Sequence, residues 1–132
     1  METKILIVDD ELSMREFLCI LLEREGYQVH QADSAEAALT LLETGSYALV
    51  VSDVKMPGMD GLTLLEKIKQ LSQDTAVLVM TAFSTAEQAV AAMKLGAYDY
   101  IAKPFNVEEI KILVRNALEK RSLTKKNIRL RQ

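Results

Sequence analysis

Three stretches of this chain are short, nearly continuous apolar runs rich in β-branched residues: Lys4-Ile5-Leu6-Ile7-Val8, Ala48-Leu49-Val50-Val51-Ser52 and Ala76-Val77-Leu78-Val79-Met80. That pattern is the mark of strands buried on both faces of a parallel sheet. Tyr27 to Ala32 interleaves polar residues, as an edge strand does, and Tyr98 to Ala102 reads as a fifth strand. Between the runs the spacing changes to the helical period. A helix over Met14 to Glu25, opened by a Ser13/Glu16 capping box and stopped by Gly26, is expected to bury Met14, Phe17, Leu18, Leu21 and Leu22. Ser34 caps Ala35 to Glu43, which Gly45 closes. Gly61 leads into a helix to Leu71 with Leu62, Leu65 and Ile68 inward. Ser84 or Thr85 caps Ala86 to Leu95, thin in large apolar residues, and Asn106 caps a last helix whose pattern runs to Arg131, with Val107, Ile110, Val114 and Ala117 inward. Strand and helix alternate five times. This predicts an α/β fold: a doubly wound, five-stranded parallel sheet of order 2-1-3-4-5 with helices on both faces, joined by right-handed crossovers.

Parallel strands present their carboxyl ends on one edge of the sheet, where ligands bind in such folds. In this chain those ends are polar: Asp9 and Asp10 after the first strand, Asp53 after the third, Thr81 after the fourth, Lys103 after the fifth. Val54-Lys55-Met56-Pro57-Gly58-Met59-Asp60-Gly61 turns the chain away just past Asp53. Three carboxylates in one place repel, and a divalent cation relieves them; Mg²⁺ takes hard oxygens and neutralises charge on a phosphoryl group. Asp53 is then placed to attack phosphorus and form an acyl phosphate, with Lys103 supplying a point charge and Thr81 a hydroxyl donor to phosphate oxygens.

Composition narrows the setting. At 132 residues, 49% apolar and 27% charged, the chain is one globular domain, or one domain with a tail. No run approaches the ~18 apolar residues of a membrane span. The N-terminus shows no secretory leader, and the single cysteine, Cys19, lies in a helix pattern as a buried reduced thiol; together these predict a cytoplasmic protein. The net charge of -3 is uneven: residues 1–105 hold 16 acidic against 8 basic side chains, residues 106–132 hold 3 against 8. An acidic body with a basic helical tail does not bind nucleic acid by itself. His30, the one histidine, has no ligand cluster in sequence and is expected at the surface.

Ile7-Val8-Asp9-Asp10-Glu11, Asp53-Val54-Lys55-Met56-Pro57-Gly58-Met59-Asp60-Gly61, Met80-Thr81-Ala82 and Tyr100-Ile101-Ala102-Lys103-Pro104-Phe105 together resemble the receiver domain of bacterial two-component response regulators, over residues 2 to about 121. The resemblance implies that Asp53 is the phosphoacceptor and Mg²⁺ the cofactor. It implies direct metal ligands in Asp10, Asp53 and the backbone carbonyl of Lys55, with Asp9 acting indirectly. It implies Thr81 and Tyr100 as switch residues beside Lys103, and a sensor histidine kinase as partner. The protein is then a switch that assists its own phosphotransfer and dephosphorylation, not an enzyme. Met80-Thr81-Ala82-Phe83 and Ala92-Met93-Lys94-Leu95-Gly96-Ala97-Tyr98-Asp99-Tyr100 are similar to NtrC-type activators of the σ54 polymerase, which carry ATPase and DNA-binding domains after the receiver.

Residues 1–121 are thus read as the receiver and 122–132 as the start of a helical linker. Leu123 and Leu130 lie seven apart with Asn127 between them, the spacing of a short parallel coiled coil, so a homodimer through the last helix and the face of the fourth helix and fifth strand is expected. Phe83 is expected to shield the phosphoryl group from water. Two rival classes fit less well. A haloacid-dehalogenase-type enzyme wants its nucleophile on the first strand in an Asp-x-Asp pattern, and a flavodoxin-like carrier wants a phosphate-cradling loop where this chain has acids. A stand-alone phosphorelay intermediate differs only in what lies downstream.

Overall fold

The computed structural model describes residues 3–82 and 85–131, with side chains described through residue 119. Five strands, β1 (Lys4–Val8), β2 (Gln28–Ala32), β3 (Leu49–Asp53), β4 (Ala76–Thr81) and β5 (Asp99–Ala102), alternate with five helices, α1 (Leu12–Arg24), α2 (Ala35–Thr44), α3 (Gly61–Leu71), α4 (Ala86–Lys94) and α5 (Val107–Arg131). All neighbouring strands pair in parallel, in the order β2-β1-β3-β4-β5. The order expected from the alternation is the one observed.

The apolar runs explain themselves in this arrangement. Alternate side chains of one strand leave on opposite faces. Leu6 and Val8 of β1, Val50 of β3, and Val77 and Val79 of β4 go to the face covered by α2, α3 and α4. Ile5 and Ile7, Leu49 and Val51, and Leu78 and Met80 go to the face covered by α1 and α5. Each central strand therefore needs apolar residues at consecutive positions, whereas β2, with one edge unpaired, keeps Gln31 exposed.

The helix starts follow from local capping. Side-chain oxygens of Ser34, Asp60, Thr85 and Asn106 accept the amides of Ala37, Thr63, Gln88 and Glu109. The expected Ser13/Glu16 box is absent. α1 begins at Leu12 after Glu11, whose side chain makes no capping bond, because the Asp9 carboxylate already accepts the Glu11 amide at 2.9 Å and turns the chain earlier. Phe17, expected inside, is 43% exposed, and Val107 37%; only Leu18, Leu21 and Leu22 of α1 are buried, and Met14 is half-buried. The buried stripe of α1 is narrower than its apolar periodicity, and α3 buries Leu64, Leu65 and Ile68 while Leu62, expected inside, is half-buried. Ile110, Val114 and Ala117 of α5 are buried as expected. His30 is half-buried, not at the surface: its Nδ1 lies 2.6 Å from the Tyr47 hydroxyl, and its ring meets the Tyr47 ring edge-on. Cys19 is a free, half-buried thiol whose pKa burial pushes up.

Among the described residues no helix is long and apolar enough to cross a membrane. The side chains of Leu123, Asn127 and Leu130, and the whole of Phe83 and Ser84, lie outside the described residues.

Candidate functional site

β1 and β3 are adjacent, so their carboxyl ends bring Asp9, Asp10 and Asp53 together, one oxygen from each lying within 4.8 Å of the others. Asp9 is fully buried, Asp53 nearly so, and Asp10 is exposed at the mouth. Asp9 is held at both ends: its carboxylate Oδ1 accepts the Glu11 amide, and its backbone carbonyl accepts a hydrogen bond from Nη1 of Arg15 at 2.8 Å. Burial pushes its pKa above the ordinary 3.8, and the Asp53 charge adds to that push; the Glu11 amide and Lys103 oppose it without overcoming it.

Lys103 enters from β5. Its Nζ is 3.1 Å from Asp53 Oδ2 and 3.4 Å from Asp9 Oδ2. Burial alone would pull the ammonium down, but the hydrogen bond and charge of Asp53, with those of Asp9, outweigh it and raise the pKa. The Lys103–Pro104 peptide bond is cis, and the Lys103 amide donates to the Thr81 carbonyl at 2.8 Å, which ties the end of β5 to the end of β4. Thr81, 1% exposed, ends β4. Asp53 pairs in register with Met80, one residue before it.

The loop after Asp53 begins under constraint. The Val54 amide donates to the Met80 carbonyl, and the Gly61 amide to the Val54 carbonyl at 2.7 Å. A side chain on Gly61 would collide with the Asp53 carbonyl, so only glycine lets α3 start this close to the strand end. Asp10, Lys55, Met56, Pro57 and Asp60 line a shallow depression beside the acids.

Tyr100 on β5 is half-buried and its hydroxyl is enclosed without a hydrogen-bond partner among the described residues; Gln88 Oε1 on α4 is in the same condition.

The structure thus gathers Asp9, Asp10, Asp53, Thr81 and Lys103 at one edge of the sheet, with Lys55 on the adjoining loop and Tyr100 behind. The sequence pattern does not mark Arg15. Arg15 is a helix position six residues past Asp9, and nothing in periodicity marks its bond to the Asp9 carbonyl. An edge where three carboxylates each offer an oxygen within 4.8 Å of the others suits a hard divalent cation.

The fold and this acid-lysine edge define a receiver-type α/β signalling domain. Residues 5–115 match the response regulator receiver domain, and the chain belongs to that family. It is 38% identical over 126 residues to the regulatory protein AtoC of Escherichia coli K12, covering 96% of this chain and 27% of that protein. The chain therefore spans about a quarter of the length of that relative. Among solved structures it superposes on NtrX from Brucella abortus with a TM-score of 0.93 at 34% identity, over the whole of this chain and 30% of that one. It superposes on the beryllofluoride-activated NtrC4 receiver domain dimer with a TM-score of 0.86 at 36% identity, over 89% of this chain and 98% of that one. NtrC-like regulators are thus among its relatives.

Proposed function

We propose that this chain is a phosphorylation-activated switch in which Asp53 takes a phosphoryl group from the phosphohistidine of a sensor histidine kinase. The observation that carries this is the meeting of Asp53 with Asp9, Asp10 and Lys103 at the ends of β3, β1 and β5. An Asp53 oxygen attacks phosphorus, a P–O bond forms as the P–N bond breaks, and the electron pair returns to the donor imidazole. Lys103 holds a phosphoryl oxygen, and Thr81 donates its hydroxyl to another. Asp10, Asp53 and the Lys55 carbonyl would hold Mg²⁺, and Asp9, locked by Glu11 and Arg15, orients the set. Bound Mg²⁺ would neutralise charge on the transferring group.

Recruitment of Thr81 to the phosphoryl group and resettling of Tyr100 then shift α4, β5 and the start of α5. α4 is suited to this: Ala92 is its one buried residue, Val90 and Met93 are exposed, and unpaired Gln88 and Tyr100 oxygens leave its present packing unsatisfied. Residues 1–121 act as the receiver and 122–132 as a linker toward downstream ATPase and DNA-binding domains serving σ54-dependent transcription. The chain itself neither binds nucleic acid nor turns over a substrate, beyond assisting its own phosphotransfer and dephosphorylation. Activated copies pair through the last helix and the α4–β5 face, as the NtrC4 receiver dimer and the Leu123/Leu130 spacing support. Sedimentation with and without beryllofluoride checks the pairing; a monomer in both states at high micromolar concentration would rule it out.

The decisive test is phosphoryl uptake from a small acyl-phosphate donor. The parent should incorporate an acid-labile, hydroxylamine-sensitive phosphate only with Mg²⁺, and Asp53→Asn should incorporate none. A variant that labels like the parent would overturn the assignment.

A further inference from the structure

The loop from Asp53 to α3 is held at its inner end by the Val54 and Gly61 amides and by Met56, buried among the side chains under α2 and α3. Its outer end, Pro57-Gly58-Met59, is met from α2. Glu36, in the first turn of that helix, accepts the Met59 amide on Oε1 at 3.3 Å, across 23 residues of sequence. The same carboxylate lies over Gly58: a Cβ there would sit 3.2 and 3.3 Å from its two oxygens. Gly58 has φ +81°, which strains any side chain there, and an added Cβ would press on the Glu36 carboxylate. The carboxylate is at home where it sits, because a helix N-terminus favours negative charge.

We infer that Glu36 is a positioning residue of the phosphoacceptor site: from α2 it clamps the Gly58–Met59 turn and so fixes the loop on which Lys55 must present its carbonyl. This rests on the reading above that the Lys55 carbonyl is a metal ligand. Glu36 touches no reacting atom. Its hydrogen bond is solvent-exposed and adds little to global stability, yet it restrains a loop whose free motion would scatter the carbonyl. The clamp also makes the first turn of α2 a part of the site's geometry, although that helix supplies no ligand.

The test uses the whole chain, labelled with ¹⁵N and titrated with MgCl₂ while the Lys55 and Met59 amides are followed. Parent, Glu36→Gln and Glu36→Ala are compared. Glutamine keeps an acceptor oxygen at the same reach, so its Mg²⁺ dissociation constant should stay within about twofold of the parent, while alanine should weaken it about three- to tenfold, the range of one net hydrogen bond. The Met59 amide should exchange with solvent faster in Glu36→Ala alone, and the thermal midpoints should stay within about 2 °C. If Glu36→Ala titrates like the parent, the clamp is wrong. If Glu36→Gln is as weak as Glu36→Ala, the effect is the carboxylate's charge acting on the cation, and the clamp is again wrong. A parent that shows no saturable shift would instead overturn the metal-dependent switch itself, a separate outcome.

Discussion

Lys103 lies 3.1 Å from Asp53 through an ion pair that joins strand ends 50 residues apart. From β5 it reaches past the end of β4 to the acids of β3 and β1. Its ammonium serves as the internal counter-charge of buried Asp9 and Asp53, so a divalent cation entering there would compete with it for their charge.

Lys103→Met should therefore act in opposite directions on the two states. Without Mg²⁺ it leaves Asp9 and Asp53 buried together without this counter-charge, and breaking such a pair costs about 3 kcal/mol. With Mg²⁺ the loss should shrink, because the cation replaces the missing charge. Urea unfolding with and without MgCl₂ measures both. The gain in stability on adding Mg²⁺ should be larger in the variant, and an equal gain would disprove the competition.

Asp9 predicts a pH dependence. Its folded pKa is raised above 3.8, chiefly by burial. A raised carboxyl contributes stability that is fully present below pH 3.8 and lost as pH rises through the raised value. The contact that steadies the Lys103 ammonium, 14% exposed, does not rescue the Asp9 carboxylate, which is completely enclosed. Asp9→Asn keeps the oxygen that receives the Glu11 amide but carries no charge. In EDTA it should exceed the parent in stability by about 1 kcal/mol at pH 7.5, the difference narrowing as pH falls toward 4. A difference that widens on acidification would reverse the assignment of burial as the dominant cause.

Tyr100→Phe removes a covered hydroxyl that has no hydrogen-bond partner among the described residues. Taking away an unsatisfied buried group should stabilise the unphosphorylated chain by about 1 kcal/mol, seen as a higher urea midpoint at unchanged slope. The same variant should show smaller beryllofluoride-induced amide shifts in α4. A loss of stability would mean that the hydroxyl is paired in solution.

The sequence alone determined the sheet, its order and the edge that carries the chemistry. Those features follow from short-range rules. Consecutive apolar residues in Lys4–Val8, Leu49–Asp53 and Ala76–Thr81 demand burial on two faces, alternation with helices forces parallel crossovers, and parallel strands put Asp9, Asp53, Thr81 and Lys103 at one end. Tertiary structure decided everything that depends on distance between segments. The Asp9 carboxylate, held in its strand-end turn, set the start of α1 before Ser13 was reached. The widths of the helix contacts left Phe17 and Val107 in solvent, and β2 brought His30 to Tyr47. Arg15 found the Asp9 carbonyl, and Glu36 found the Met59 amide 23 residues away. Periodicity records which face of an element is apolar, but a hydrogen bond between two loops or helix turns leaves no period in the chain, because its partners are chosen only when the folded layers bring them within about 3 Å.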